Sequence, residues 1–280
     1  MVGGEHMDNT LSGSLGRVAI IGGGNMGSAV CAGLLGIPGM QPEHITVANP
    51  GEPKRRLLEQ RYGVRTVESA AQALPADTVF IAVKPAIVPQ VAAELAQAGL
   101  GGALVVSVAA GVSTAKLSAA LGGAEQVVRV MPNTPLTVGA GMSGVSGGQH
   151  ASAQNVELVR SVFEHMGGAV VVPEDKQDVV TAISGSGPAY FEMFLRGMAR
   201  QGQELGLEYE SALQLALNTM YGTAVMLRQS GQGLDEAIKA VSSPGGTTVA
   251  ALVAMEQAGV EQGIAAGVAA AAKRSAELGA

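Results

Sequence analysis

The most constraining stretch of this chain is Val18-Ala19-Ile20-Ile21-Gly22-Gly23-Gly24-Asn25-Met26-Gly27, where a short apolar run ends directly in a G-x-G-x-x-G pattern. A run of that length, rich in β-branched residues, reads as a buried strand, and residues 25–35 read as the helix that follows. In this context each glycine has a task. Gly22 permits the tight turn, Gly24 lets backbone N–H groups approach a pyrophosphate, and Gly27 lets helix and strand pack closely. The helix dipole favours the anion. Gly23, Asn25 and Met26 complete a loop expected to hold a dinucleotide. A glycine-rich turn without a ligand is the competing reading, and the agreement of strand, turn and helix weighs against it.

The same alternation continues. β-branched runs at 18–21, 45–48, 64–67, 78–83, 104–108, 127–131 and 170–172 are separated by helical patterns. An α/β fold is therefore expected, with a doubly wound, mostly parallel sheet of Rossmann type covered on both faces. Beyond Pro173 no such run stands free of helical periodicity. The expected domains are a dinucleotide-binding domain at 17–174 and an all-α domain at 175–280. Leu213, Leu217, Met220 and Ala224 recur at helical spacing, and Ser211 with Gln214 predicts a capping box at the start of that helix. The alanine-rich stretch 249–278 is expected to pack against a second subunit. Residues 1–16 are small, polar and aperiodic, and are expected to form a disordered extension.

Composition removes several classes of function. Seventeen basic against 23 acidic residues give a net charge of −6, with no basic footprint for nucleic acid or anionic membrane. The longest apolar stretches, 101–112 and 263–272, are much shorter than the ~20 residues of a spanning helix. No membrane or nucleic-acid partner is expected. A single cysteine forms no internal disulfide, and the first thirty residues lack a secretory pattern, so the expected compartment is the cytoplasm. Histidine occurs only at 6, 44, 150 and 165, which leaves no metal-ligand spacing and no triad. No metal is expected. Cys31, one turn beyond Gly27 in the first helix, reads as a packed thiol.

What remains is a set of small-residue clusters at element ends, and these are backbone-binding loops by type. Ala82-Val83-Lys84-Pro85 follows the fourth strand, on the edge where doubly wound sheets hold ligands. Lys84 could orient nicotinamide or ribose, or simply end the strand before Pro85. Ser243-Pro244-Gly245-Gly246-Thr247-Thr248 precedes a helix and offers N–H groups and hydroxyls to a carboxylate. The second strand ends at Asn49 rather than at an acidic residue, and Lys54, Arg55 and Arg56 follow closely. NADPH is the expected cofactor, with NADH as the alternative.

Val241-Ser242-Ser243-Pro244-Gly245-Gly246-Thr247-Thr248, followed by Ala251-Leu252 and Met255-Glu256, resembles the signature of the pyrroline-5-carboxylate reductases. Arg129-Val130-Met131-Pro132-Asn133-Thr134-Pro135 and Gly185-Ser186-Gly187-Pro188-Ala189-Tyr190 are similar to further blocks of that family, in the same order. The resemblance runs from about Arg17 to Ala276. It implies NAD(P)H-dependent reduction of the cyclic imine 1-pyrroline-5-carboxylate to L-proline, the last step of proline biosynthesis. It also implies a homodimer, or a ring of dimers, interlocked through the helical domain. Carried over by position, residues Gly22 to Gly27 hold the pyrophosphate, Asn49 the 2′ end of the adenosine, and Ala82, Val83, Lys84 and Pro85 the nicotinamide half. Ser243, Gly245, Gly246 and Thr247 would grip the substrate carboxylate, and Thr248 would bond the ring nitrogen. One departure stands out: family members often carry a basic residue just after the second strand, where this chain has Pro50.

Such chemistry needs no histidine, because a cyclic imine is already electrophilic at carbon and hydride delivery depends on orientation. A 3-hydroxyacid-type dehydrogenase is an alternative, but it would need a lysine in a glycine-rich loop of the second domain. Only Lys239 and Lys273 follow Ser184, and neither lies in one. A non-catalytic dinucleotide sensor would leave the 243–248 loop without a purpose.

Overall fold

The computed structural model describes residues 11–123 and 125–279. Eight strands form one sheet: β1 (Val18–Ile21), β2 (Ile45–Ala48), β3 (Arg65–Val67), β4 (Thr78–Ile81), β5 (Leu104–Ser107), β6 (Val127–Met131), β7 (Gly141–Gly147) and β8 (Gly167–Val171), in the order β3-β2-β1-β4-β5-β6-β7-β8. All neighbours are parallel except β6 and β7. The strand order reverses beside β1, whose neighbours β2 and β4 carry the chain in opposite directions across the sheet.

Successive residues along each central strand point to opposite faces. Val18, Ile20, Phe80, Leu104 and Val106 face one core, shared with Val30 and Leu34 of α1 (Asn25–Leu35) and Phe163 of α5 (Ala153–Glu164). Ala19, Ile21, Val79, Ile81 and Val105 face the other, shared with Val91 and Leu95 of α3 (Val88–Ala98) and Leu117 of α4 (Thr114–Leu121). A strand buried on both faces needs a continuous apolar run, which is why these segments lack polar alternation. A further helix, α2 (Glu52–Tyr62), follows β2 and buries Leu58 in the first of these cores.

Three sequence expectations can be set beside the structure. Residues 1–10 of the expected disordered extension lie outside the described residues, but 11–15 form a helical turn with Leu11 and Leu15 buried. Four residues apart, these leucines share one face, and the Leu15 carbonyl accepts a 2.9 Å bond from Thr78 Oγ1. Second, the grouping into compact units divides the chain differently from the expected 174/175 boundary: the described residues through Ser186 and those from Ala271 group with the sheet, and Gly187–Ala270 form the second unit. Gln177, in the short helix α6 (Gln177–Val180), donates from Nε2 to Gly144 O (3.2 Å) and to Ser146 Oγ (2.7 Å), and Ser275 Oγ donates to Asp178 Oδ1 (2.6 Å). Third, the capping box at Ser211 and Gln214 does not form. Helix α8 (Tyr209–Ser230) starts two residues earlier, after Glu208.

The second unit is entirely helical: α7 (Gly187–Glu204), α8, α9 (Leu234–Ala240), α10 (Thr247–Gln257) and the first half of α11 (Val260–Gly279). Helices α7 and α8 approach so closely that a β-carbon on Gly202 would lie 2.7 Å from that of Ala212. Among its described residues only Gly187, Ala199, Ala212 and Ala216 are buried. No helix of the described residues is long and apolar enough to cross a membrane.

Candidate nucleotide and substrate loops

Pairing places the carboxyl ends of three strands level, since Ile21 is in register with Ala48 on one side and Ile81 on the other. The loops after β1, β2 and β4 therefore meet at one edge. Gly22 N donates to Ala48 O (2.8 Å) and Ala82 N to Ile21 O (2.8 Å). Gly22 has φ +107°, and a β-carbon there would lie 2.6 Å from Ala82 O. At Gly23 a β-carbon would meet Leu58 Cδ1 at 2.6 Å. Gly24 is different: it is exposed, nothing stands within 4 Å of its missing β-carbon, and it caps α1 with no side-chain bond to the first turn.

The first N–H groups of a helix lack intrahelical acceptors, and here no side chain supplies one. No acidic residue occupies that turn. Asn25 is exposed and Met26 half-buried beside the opening, while Gly27 is buried. The vacant donors, the open space over Gly24 and the positive helix end fit a dinucleotide pyrophosphate.

Asn49 braces this loop. Its Oδ1 accepts from Gly23 N (3.2 Å) and its Nδ2 donates to Gly51 O (3.2 Å), so the amide links the end of β2 to the loop after β1. The basic residues of α2 have separate fates. Arg56 Nη2 pairs with Glu52 Oε1 (2.6 Å), whereas Arg55 Nη1 folds back to donate to Asn49 O (2.9 Å) and Pro50 O (2.7 Å). That return of Arg55 is the feature which its place in a run of three basic residues does not reveal.

Beyond β4, Ala82 and Val83 are half-buried and Lys84 and Pro85 exposed. The Lys84 carbonyl accepts from Ile87 N (2.9 Å). Farther along the sheet, Asn133 ties the end of β6 to two other segments. Its Oδ1 accepts from Met142 N (2.8 Å) and its Nδ2 donates to Ser184 O (3.0 Å) in a π-helical turn, Thr181–Gly185. Such turns often mark functional sites.

In the helical unit, Gly245 takes φ +71° and Gly246 caps α10 without a side-chain bond. Gly246 N donates to Ser243 O (2.9 Å), closing the turn. Ser243, Gly245 and Thr247 are exposed and Thr248 half-buried, so a second uncapped helix start presents donors and two hydroxyls. Among the described residues no three of His, Cys, Asp and Glu gather as metal ligands. Cys31 is buried, and desolvation pushes its thiol up to about 12.

A family model described as pyrroline-5-carboxylate reductase dimerisation matches residues 174–278, and one described as NADP oxidoreductase, coenzyme F420-dependent, matches residues 17–111. A pyrroline-5-carboxylate reductase of Corynebacterium melassecola is 38% identical, over 94% of this chain and 98% of its own length. The structure of a pyrroline-5-carboxylate reductase from Coxiella burnetii superposes with a TM-score of 0.90 at 33% identity, covering 95% of this chain and 99% of that one. The Plasmodium falciparum pyrroline carboxylate reductase with NADP bound gives 0.84 at 27%, covering 95% and 99%.

Proposed function

The chain belongs to the pyrroline-5-carboxylate reductase family, and on that premise we propose how its two uncapped helix starts divide the reduction of 1-pyrroline-5-carboxylate to L-proline with NADPH. The reading rests above all on Gly24, where an open space meets unsatisfied N–H groups at a level sheet edge. Residues Gly22 to Gly27 bind the pyrophosphate there. Asn49 keeps the loop in shape through Gly23. Ala82, Val83, Lys84 and Pro85 would line the nicotinamide half.

Bound NADPH supplies a hydride for the imine carbon. The Thr247 N–H and hydroxyl, with Ser243 and the turn through Gly245 and Gly246 that the Gly246 N–H closes onto Ser243 O, hold the substrate carboxylate. The substrate reacts as the protonated imine, so its nitrogen already carries the proton of the product amine, and the Thr248 hydroxyl donates a hydrogen bond to the lone pair that hydride addition creates there, a bond that strengthens as the amine forms. Such a donor contributes about 1–3 kcal/mol, roughly 10- to 100-fold in rate.

The helical unit joins two copies of the chain as a homodimer, and dimers can assemble further into a ring. Its sparsely buried interior supports this, because helices bearing so few buried residues gain stability from a partner. A cytoplasmic setting agrees with the single, buried thiol. The deciding experiment is an initial-rate assay with pyrroline-5-carboxylate against NADPH and NADH in parallel, with hydroxyacids as controls. Cofactor consumption with hydroxyacids but not with the imine would refute the reading.

A further inference from the structure

We propose that Arg55 recognises the adenosine 2′-phosphate and sets the preference of this enzyme for NADPH over NADH; the inference rests on the cofactor reading above. The residue directly after Asn49 is Pro50, which carries neither a side-chain donor nor an N–H. The charge needed at the end of β2 must therefore come from elsewhere. Arg55 lies one turn into α2 and returns to this spot, its Nη1 held by the carbonyls of Asn49 (2.9 Å) and Pro50 (2.7 Å).

Those two bonds leave Nε and Nη2 without a partner among the described residues. Three N–H donors on a planar fork remain, a geometry that matches phosphate oxygens. Anchoring through Nη1 also removes rotamer freedom that a loose arginine would lose on binding. Asn49 links the same segment to the pyrophosphate loop through Gly23 N, so the guanidinium stands at the adenosine end of the cofactor site.

The surrounding charges agree. Glu52 would repel a phosphate, but Arg56 holds its carboxylate at 2.6 Å. Lys54 is half-buried in the first turn of α2 and adds positive charge. No acidic side chain ends β2 to accept from a free ribose hydroxyl, the device that selects NAD.

The test is calorimetric titration of the full-length chain with NADPH, NADH, adenosine 2′,5′-bisphosphate and 5′-AMP, for the wild type, Arg55→Gln and Lys54→Gln. Arg55→Gln is expected to weaken NADPH and the bisphosphate about 10- to 100-fold while leaving NADH and 5′-AMP within about twofold. Lys54→Gln should have a smaller effect on the same ligands. Equal losses for NADPH and NADH would mean that Arg55 merely braces the loop, and would overturn the proposal. So would a preference that survives in Arg55→Gln, or one that disappears only in Lys54→Gln. A wild type that binds the two cofactors equally would overturn the NADPH preference itself, a result distinct from failure of Arg55 alone.

Discussion

The backbone carbonyl of Gly22 occupies the place where a β-carbon on Gly27 would stand. The strand-to-helix turn is closed to that degree, and any side chain at 27 must push α1 away from β1. Gly27→Ala is therefore expected to cost about 1–3 kcal/mol of stability through overpacking. It should also weaken NADPH at least ~10-fold by displacing the first-turn N–H groups. Thermal melting and cofactor titration of the same variant check both. Gly24→Ala, where space is open, should leave the melting temperature nearly unchanged and lose affinity alone.

Cys31 offers a test in which pH sets the sign. Burial raises its pKa from the ordinary 9.0 to about 12, so the native state keeps the thiol neutral where the unfolded chain would ionise it. The stability contributed by this shift is complete below about pH 9 and is lost as pH climbs towards 12. Urea unfolding should show the wild type losing about 1.4 kcal/mol per pH unit above pH 9 relative to Cys31→Ala. Native protein should also resist thiol labelling at pH 8, and full labelling on mixing would contradict a sealed α1.

How far the sequence reveals this architecture depends on whether side chains or backbone carry the signal. The parallel strands and the loop from Gly22 to Gly27 are legible because β-branched runs and glycine spacing report them locally. Strand β7 escapes that reading, and its glycines explain why. A β-carbon on Gly144 would lie 2.7 Å from Val180 Cγ1, and one on Gly141 would lie 2.8 Å from Leu136 Cα, so close packing removes the side chains whose alternation would mark a strand. The helical turn at 11–15 shows only two leucines among small residues, and its meaning depends on Thr78, more than sixty positions away. The return of Arg55 to Asn49 and Pro50 is likewise a property of the folded turn. In the other loop, the glycines and threonines of 243–248 announce a helix start, while the absence of a side-chain cap at Gly246 is seen only in three dimensions.

Phe191, Phe194 and Met198 lie at i, i+3 and i+7 on α7 and are 61%, 41% and 43% exposed in a single chain. A stripe of this kind on one face of a helix asks for a partner. Phe194→Asp places a charge in it and is expected to shift the protein from dimer to monomer in light scattering, with a lower, concentration-independent melting temperature. A variant that elutes and melts as the wild type does would remove this face of α7 from the interface.

Thr248 is half-buried in the first turn of α10, next to the Gly246 cap, and its hydroxyl is the one donor in the proposed scheme aimed at the reacting nitrogen. Because that bond strengthens as the imine becomes an amine, its loss should appear in kcat more than in KM. Thr248→Ala is expected to lower kcat about 10- to 100-fold with the NADPH dissociation constant unchanged. Thr248→Ser, which keeps the hydroxyl, should recover most of the rate. Thr247→Ala, whose N–H remains in place, should instead raise KM modestly through the carboxylate. If alanine at 248 leaves kcat intact, the hydrogen-bonding role passes from this residue and the loop serves only to bind.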